Sequence, residues 1–388
     1  MQTLRLPDLS QSLTASARSV FRKLAHEGPA TRPQLGVALG LSRPTMSAAM
    51  AELEQLGYVE VVGSAQGALG RKAAVYRAGR GAGHVIAVDA GSTHVRLRVS
   101  SVDRRLLHSS VHHLPVSQFV LNEQISQAVA NEVRKAIAMS KPEWGNLRAL
   151  GIALPSRVVN ANGDTPATGQ DEVFSRFVPP NDVQLVLENN VNCAAVAEHL
   201  YGAAKQQPTF AYIQIGLKIG MGLMLDGKLV RGRNGAAGEI GHMAFPFAPG
   251  RMPVSGEIER YMGAEALMGR TLADWPPSSG RPPADTSELL QRAESGEEAA
   301  LRHVMQHADD IGALVASCVS IVDPGLVVLG GGLGSAEMLL PQVREVANRL
   351  SYPVEVKTSI LGPDATVLGI EKLAVDKVME VLLAEEAG

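Results

Sequence analysis

Cysteine is nearly absent from this 388-residue chain: only Cys193 and Cys318 occur, each among Ala and Val in runs that read as buried helices. Two such thiols cannot build the disulfide framework of a secreted domain, which favours the cytosol. Uninterrupted apolar stretches of the roughly 18–20 residues needed for a membrane span are lacking, as is an N-terminal signal run, so a soluble intracellular protein is expected. A strong overall charge is missing too, with 36 basic against 39 acidic residues. That balance conceals an asymmetry, because residues 1–80 hold ten Lys and Arg against five Asp and Glu. A basic head before an acidic body is the electrostatic footprint of a phosphate-backbone binder. The length exceeds one ordinary core and fits a small domain followed by a larger, two-lobed one.

The head has the order of a winged helix-turn-helix. Leu13, Ala17, Val20, Phe21 and Leu24 recur at helical spacing until Gly28 and Pro29 end the first helix. Thr31 caps a second over 32–39, Gly40 supplies the tight turn, and Ser42 caps a third whose inner face carries Met46, Met50, Leu53 and Leu56. Burying that face leaves Arg43, Thr45, Ser47 and Ala48 outward, where small and hydroxyl side chains let a helix lie deep in a major groove. An alternating strand from Tyr58, a Gly-rich segment, Arg71-Lys72 and a strand to Tyr76 then make a hairpin wing with two cations near its tip. Arg32, Ser42, Arg43, Thr45, Ser47, Arg71 and Lys72 are the candidate DNA contacts. A three-helix protein-interaction module, with Ser42 and Thr45 merely capping, is the weaker alternative. The head is assigned to 1–76, and residues 77–83, with three glycines and two arginines, read as a flexible basic linker.

From 84 to 388 short apolar strands alternate with glycine turns. Five landmarks occur in order: Asp89-Ala-Gly91-Ser-Thr93 between two strands; a strand ending at Pro155-Ser156; Glu188-Asn189-Asn190 before an Ala-rich helix; Ile215 to Gly222 followed by Gly238-Glu239-Ile240-Gly241-His242; and Asp323-Pro-Gly before Gly330-Gly331-Gly332. Together with the head they resemble the ROK family, which joins sugar kinases to DNA-binding repressors. The resemblance implies an α/β architecture, a winged helix-turn-helix followed by a two-lobed actin- and hexokinase-like (ribonuclease H-like) ATPase fold. It also implies a phosphate cradle at Asp89, Gly91 and Thr93, and sugar-hydroxyl contacts at Asn189, Asn190, Glu239, His242 and Glu259. Carboxylates and amides suit that task, because each hydroxyl both donates and accepts.

Three departures from the family pattern shape the expected function. The family's catalytic aspartate falls on Asn190, and an amide cannot take a proton from a sugar hydroxyl near neutral pH. Where kinases offer a threonine in the second phosphate loop, this chain has Leu217 and Lys218. Many members hold a structural zinc with a cysteine cluster after the Gly-Glu-Ile-Gly-His segment, and none of those cysteines exists between His242 and Tyr261. His303 and His307, one helical turn apart, read as an exposed helix face.

Asp274 to Thr286 reads as a Pro- and Ser-rich surface loop, and 367–383 as a helix that closes back on the first lobe. The expectation is therefore a non-enzymatic transcriptional regulator that binds operator DNA and answers to a sugar or sugar derivative, with no cofactor and no metal. It should be a homodimer or homotetramer, because such heads read palindromic half-sites. A residual sugar kinase with an autoregulatory head, or a ligand-free DNA-binding scaffold, are the alternatives.

Overall fold

The computed structural model describes residues 13–66, 72–114, 123–158, 180, 182–244 and 252–384. Arg71 and the tip of the wing lie outside them.

In the head, Thr14 caps α1 (Ala15–Glu27), which buries Ala17, Val20, Phe21 and Leu24. After β1 (Ala30–Thr31), Thr31 and Gln34 cap α2 (Arg32–Leu39) reciprocally, and Gly40 turns the chain at φ 65°. A left-handed turn of this kind is open to glycine at little steric cost. Ser42 then accepts a hydrogen bond from the Thr45 amide and starts α3 (Arg43–Gln55), which buries Met46, Ala49, Met50 and Leu53. The wing strands β2 (Val59–Gln66) and β3 (Lys72–Ala78) pair antiparallel, and β1 joins them in the order β1-β3-β2.

The body contains two sheets of one design. In the first lobe, β4 (His84–Ala90), β5 (His94–Ser101) and β6 (Leu106–His113) form a meander, and after α4 (Glu123–Ala138) come the parallel strands β7 (Leu147–Leu154) and β8 (Gln184–Asn189). The strand order is β6-β5-β4-β7-β8. Helix α5 (Asn190–Tyr201) leads to the second lobe, where β9 (Phe210–Ile215), β10 (Ile219–Leu225) and β11 (Lys228–Val230) form another meander. Helices α6 (Glu257–Met262), α7 (Ala264–Ala273), α8 (Thr286–Glu294) and α9 (Glu298–Val322) intervene before β12 (Leu326–Gly330), α10 (Gly331–Gly334), α11 (Leu340–Leu350) and β13 (Glu355–Thr358). The order β11-β10-β9-β12-β13 repeats that of the first lobe, with the same alternation of antiparallel and parallel pairs. Helix α12 (Ala365–Leu382) returns to the first lobe as expected, packing Ile370 and Ala374 against Gly151 of β7.

Two expectations fail here. Residues 77–83 are not a loose tether: Arg77 and Ala78 complete β3, and Arg80–Ala82 make a 3-10 turn. A Cβ at Gly81 would lie 2.2 Å from the Leu56 carbonyl oxygen, and Arg148 donates a 3.0 Å hydrogen bond to the Gly81 carbonyl. These glycines serve close backbone approach, which composition alone cannot distinguish from flexibility. His307 is likewise not exposed; it is 1% accessible inside α9, while His303 stacks on Trp275.

The head and body share one hydrophobic core. Phe21, Leu24, Leu53 and Tyr58 of the head cluster with Val85, Val102 and Ala149 of the first lobe and with Val375, Val378, Met379 and Leu383 at the end of α12. Arg104 adds a 3.0 Å hydrogen bond to the carbonyl of His26.

Candidate functional site

On the head, Ser42, Arg43, Thr45 and Ser47 are all exposed at the start of α3, and Lys72 is exposed at the start of β3. The Ser42 and Thr45 hydroxyls lie 2.8 Å apart, so both take part in the cap as well as facing outward. Arg32 is placed differently from the other candidates. Its guanidinium donates to Glu54 at 2.7 Å and lies 5.0 Å above the Tyr76 ring, which ties α2 to α3 and the wing. That side chain is committed within the head rather than presented to a groove.

In the body, the start of α5 sits on β10. Val191 Cγ2 is 3.0 Å from the Cβ position of Gly220, and the Val191 carbonyl oxygen is 2.8 Å from that of Gly222, so only glycine permits the approach. Asn189 is the N-cap of α5: its side-chain oxygen accepts from the amides of Val191 and Asn192, and its Nδ2 donates to the Ser156 carbonyl at 3.3 Å. One amide hydrogen is left for a ligand. Asn190, half-buried, is the first residue of α5, and its carbonyl accepts from Thr366 Oγ1 at 3.4 Å.

The Gly-Glu-Ile-Gly-His segment lies along the same strand. Met221 donates its amide to Gly238, and a side chain at Gly241 would strike the Ile219 carbonyl at 2.4 Å. Glu259, the least similar match in sequence, is brought in from α6: Oε2 accepts from the Ile219 amide at 3.4 Å and lies 3.2 Å from the Gly241 Cβ position. Glu239 Oε2 is 3.7 Å from His242 Nε2. Burial pushes the Glu239 carboxyl up, against the pull of His242, Arg157 and Lys218 and with the repulsion of Glu259. Thus Glu239, His242, Glu259 and Lys218 gather around the start of β10, next to the Asn190 turn.

Sequence reasoning missed two parts of this site. Glu188 is buried and accepts from the Asn189 amide, from Asn192 Nδ2 and, at 2.6 Å, from Arg231 Nε. It locks α5 to the loop after β11, a role its position beside Asn189 could have suggested. Arg157 reaches the same loop, with Cγ 3.6 Å from the Gly235 Cβ position, and no local motif marks it.

In the first lobe, Asp89 is the next-to-last residue of β4, and a Cβ at Gly91 would meet the His94 carbonyl at 2.7 Å. Burial raises the Asp89 carboxyl to about 7, with Arg96 opposing and Asp364 adding to the shift. Near neutral pH it is only partly charged, which weakens it as a holder of a hydrated cation. Thr93 Oγ1 is 2.6 Å from His94 Nδ1 on the exposed side of the turn. Gly216 faces Gly332 across the second lobe, 3.6 Å from its amide nitrogen to the Cβ position. The family's zinc does not fit this chain, since both cysteines are buried in α5 and α9, far in sequence from the 243–261 segment. Among the described residues no group of three His, Cys, Asp or Glu is placed to hold a metal ion.

The ROK family model matches residues 85–377, three-quarters of the chain. The chain belongs to the ROK family. Its head, residues 12–68, matches the MarR family model. The chain is 22% identical over 363 residues to the xylose repressor of Caldicellulosiruptor bescii, covering 87% of this chain and 90% of that protein. It is 26% identical over 283 residues to the N-acetyl-D-glucosamine kinase of Escherichia coli, covering 69% of this chain and 89% of the kinase. A ROK family transcriptional regulator, described as a homologue of the E. coli MLC protein, shares the fold along 95% of this chain and 98% of its own, with a TM-score of 0.72 at 18% identity. The similarity to the repressor covers 87% of this chain and that to the kinase 69%. This protein is a ROK-type transcriptional regulator with a winged-helix DNA-binding head. None of its described helices is long and apolar enough to cross a membrane.

Proposed function

We propose that this ROK regulator binds a sugar or sugar derivative at Asn189, Asn190, Glu239, His242 and Glu259, transfers no phosphoryl group, and passes the ligand's presence to the head through α12. The observation that carries this reading is the path of that helix. Its first turn bonds the Asn190 carbonyl through Thr366, its middle packs on β7, and its last turns lie inside the core of the DNA-binding head. A ligand that moves α5 against the first lobe therefore tilts a rod whose far end the head is built upon. The exposed start of α3, with Arg43, Thr45 and Ser47, enters the major groove, and Arg71 and Lys72 of the wing contact phosphates. Two copies of the chain bind one palindromic operator.

Selection of DNA from a random library, followed by anisotropy titrations with and without each of a panel of sugars, tests the reading. Salt-dependent binding to a selected sequence, altered by a sugar that also binds by calorimetry, supports it. DNA binding that no bound sugar alters overturns it. Retention of the Asp89 and Gly330–Gly332 turns favours one second reading, a weak sugar kinase, which ADP release in the presence of the same sugars would reveal.

A further inference from the structure

The turn between β5 and β6 is built on a residue that rarely adopts its conformation. Arg104 has φ 61°, in the left-handed region that glycine enters freely and other side chains seldom do. The turn is fixed on both sides of it: the Arg104 amide donates to the Ser101 carbonyl at 2.8 Å, and the Ser101 hydroxyl donates to Asp103. Val102, in the same turn, is buried in the core shared by head and body. Backbone held this way by its surroundings points to a demand made on the side chain.

That side chain meets three helices. Nη2 donates to the carbonyl of His26 in the last turn of α1, where a cation also suits the helix dipole. Cζ lies 6.0 Å from the centre of the ring of Tyr201, the last residue of α5. Burial pushes the Glu371 carboxyl of α12 up, and Ser100, Arg98 and Arg104 oppose that shift. Arg104 Nη1 is enclosed and has no hydrogen-bond partner among the described residues. The head, the ligand helix and the connecting helix thus converge on one guanidinium.

Asn190 and Tyr201 are the two ends of α5, roughly 17 Å apart along its axis. A ligand that tilts this helix at Asn190 therefore displaces the ring on which the guanidinium rests. The apolar contacts between α12 and the head are non-directional and tolerate such a shift, whereas a hydrogen bond to a carbonyl does not.

Resting on the sugar-sensor reading above, we propose that Arg104 is the positioning residue that couples the ligand helix to the DNA-binding head. Movement of Tyr201 breaks the bond from Arg104 to His26 and frees α1 to turn against the body. Helix α3 turns with it, because Phe21, Leu24, Met50 and Leu53 lie in one core.

The test uses the full chain and the operator selected from the random library, with xylose, glucose, N-acetylglucosamine, mannose, galactose and fructose as probes. Calorimetry finds the sugar that binds, and anisotropy gives the operator Kd with and without it. The ratio of the two should be about 5-fold or more in the unmodified protein. Arg104→Gly keeps the turn, since glycine adopts this φ freely, and deletes the side chain. Without sugar it should bind the operator as the unmodified protein does with sugar, and added sugar should then change its Kd by less than about twofold. Tyr201→Leu should also reduce the ratio, while Tyr201→Phe, which keeps a ring face for the cation, should retain it. All three variants should still bind the sugar.

A ratio that survives Arg104→Gly or Tyr201→Leu overturns the proposal and leaves the sensor reading standing. A sugar-free operator Kd of Arg104→Gly displaced in the direction opposite to the sugar's effect also overturns it. Should Arg104→Gly fail to fold, the comparison of Tyr201→Leu with Tyr201→Phe decides, since Tyr201 belongs to the body. Failure of all six sugars to bind, or a bound sugar that leaves the operator Kd of the unmodified protein unchanged, overturns the sensor reading itself and this proposal with it.

Discussion

Gly369 of α12 lies so close to Cys193 of α5 that a Cβ on the glycine would sit 1.8 Å from the Cys193 carbonyl oxygen. The helix carrying Asn190 and the helix carrying the head's supporting residues thus touch backbone to backbone, with no side chain to cushion relative movement.

Gly369→Ala measures that contact. In an unconstrained helix the change is worth up to about 1 kcal/mol in favour of alanine, but overpacking here should reverse the sign and destabilise by roughly 1–3 kcal/mol or more. Urea unfolding reads the difference. In the folded fraction, operator affinity should lose its dependence on sugar. A more stable Gly369→Ala protein with an intact sugar response would refute the close-contact account.

The head residues separate into two groups by effect. Arg43→Ala or Ser47→Ala should alter sequence preference, with base contacts worth about 1–3 kcal/mol each. Lys72→Ala, and Arg71→Ala with it, should weaken binding to all sequences and flatten the salt dependence by about one unit of slope per lost phosphate contact. Arg32→Ala should lower the melting temperature of the head, since its partners are Glu54 and Tyr76. Anisotropy at several salt concentrations, with a parallel thermal melt, distinguishes these outcomes.

Asn190→Asp restores a carboxylate base, yet no appreciable sugar phosphorylation should appear. Lys218 and Leu217 still occupy the loop where the family pattern offers a threonine, and phosphoryl transfer depends chiefly on positioning and charge stabilisation. Ligand affinity should change instead, because an ionised carboxylate accepts hydrogen bonds while the amide also donates. A coupled ADP-release assay checks the first statement; robust turnover would make the enzyme reading the better one.

His307 makes the protein acid-sensitive. Burial lowers its pKa to about 4 from 6.5, and neither ring nitrogen has a partner among the described residues. The unfolded chain therefore takes up a proton first as pH falls, so this stability is present above about 6.5 and is lost on the way down to about 4. At pH 5 the loss is about 2 kcal/mol. His307→Leu should narrow the difference in melting temperature between pH 7.5 and pH 5; an unchanged difference would show that the imidazole is not the source.

Asp89 acts in the opposite direction. Its folded pKa is raised to about 7, so its contribution is fullest below the unfolded value near 4 and declines as pH rises to about 7. Asp89→Asn removes that dependence. The substitution should raise the melting temperature at pH 8 by more than at pH 5, a difference on the order of 2–3 kcal/mol, and equal effects at both values would contradict the burial account.

Much of this molecule is local and so is written in the sequence. Thr31, Gly40 and Ser42 delimit the head helices because caps and left-handed turns are satisfied by neighbouring residues. The strand and turn of Asp89 to Thr93 and the α5 cap at Asn189 follow from the same short-range chemistry. Asn190 is legible as an amide at the position where the family resemblance puts a carboxylate, and the chemistry of an amide does not depend on what surrounds it.

Contacts between distant segments decided the rest. Glu259 reaches the start of β10 only because α6 folds over that strand, and Arg157 the loop after β11 only because its own segment meets Gly235. The glycines of 77–83 read as a tether until Leu56, Asn146 and Arg148 closed around them. His307 looked like a surface residue because helical spacing does not reveal which neighbours cover a face. The repeated strand order of the two lobes is a property of pairing, which many side chains can satisfy, and so leaves no visible repeat in the sequence. The union of α12 with the head's core depends on side chains more than 300 residues apart, and their apolar periodicity states that they are buried without stating against what.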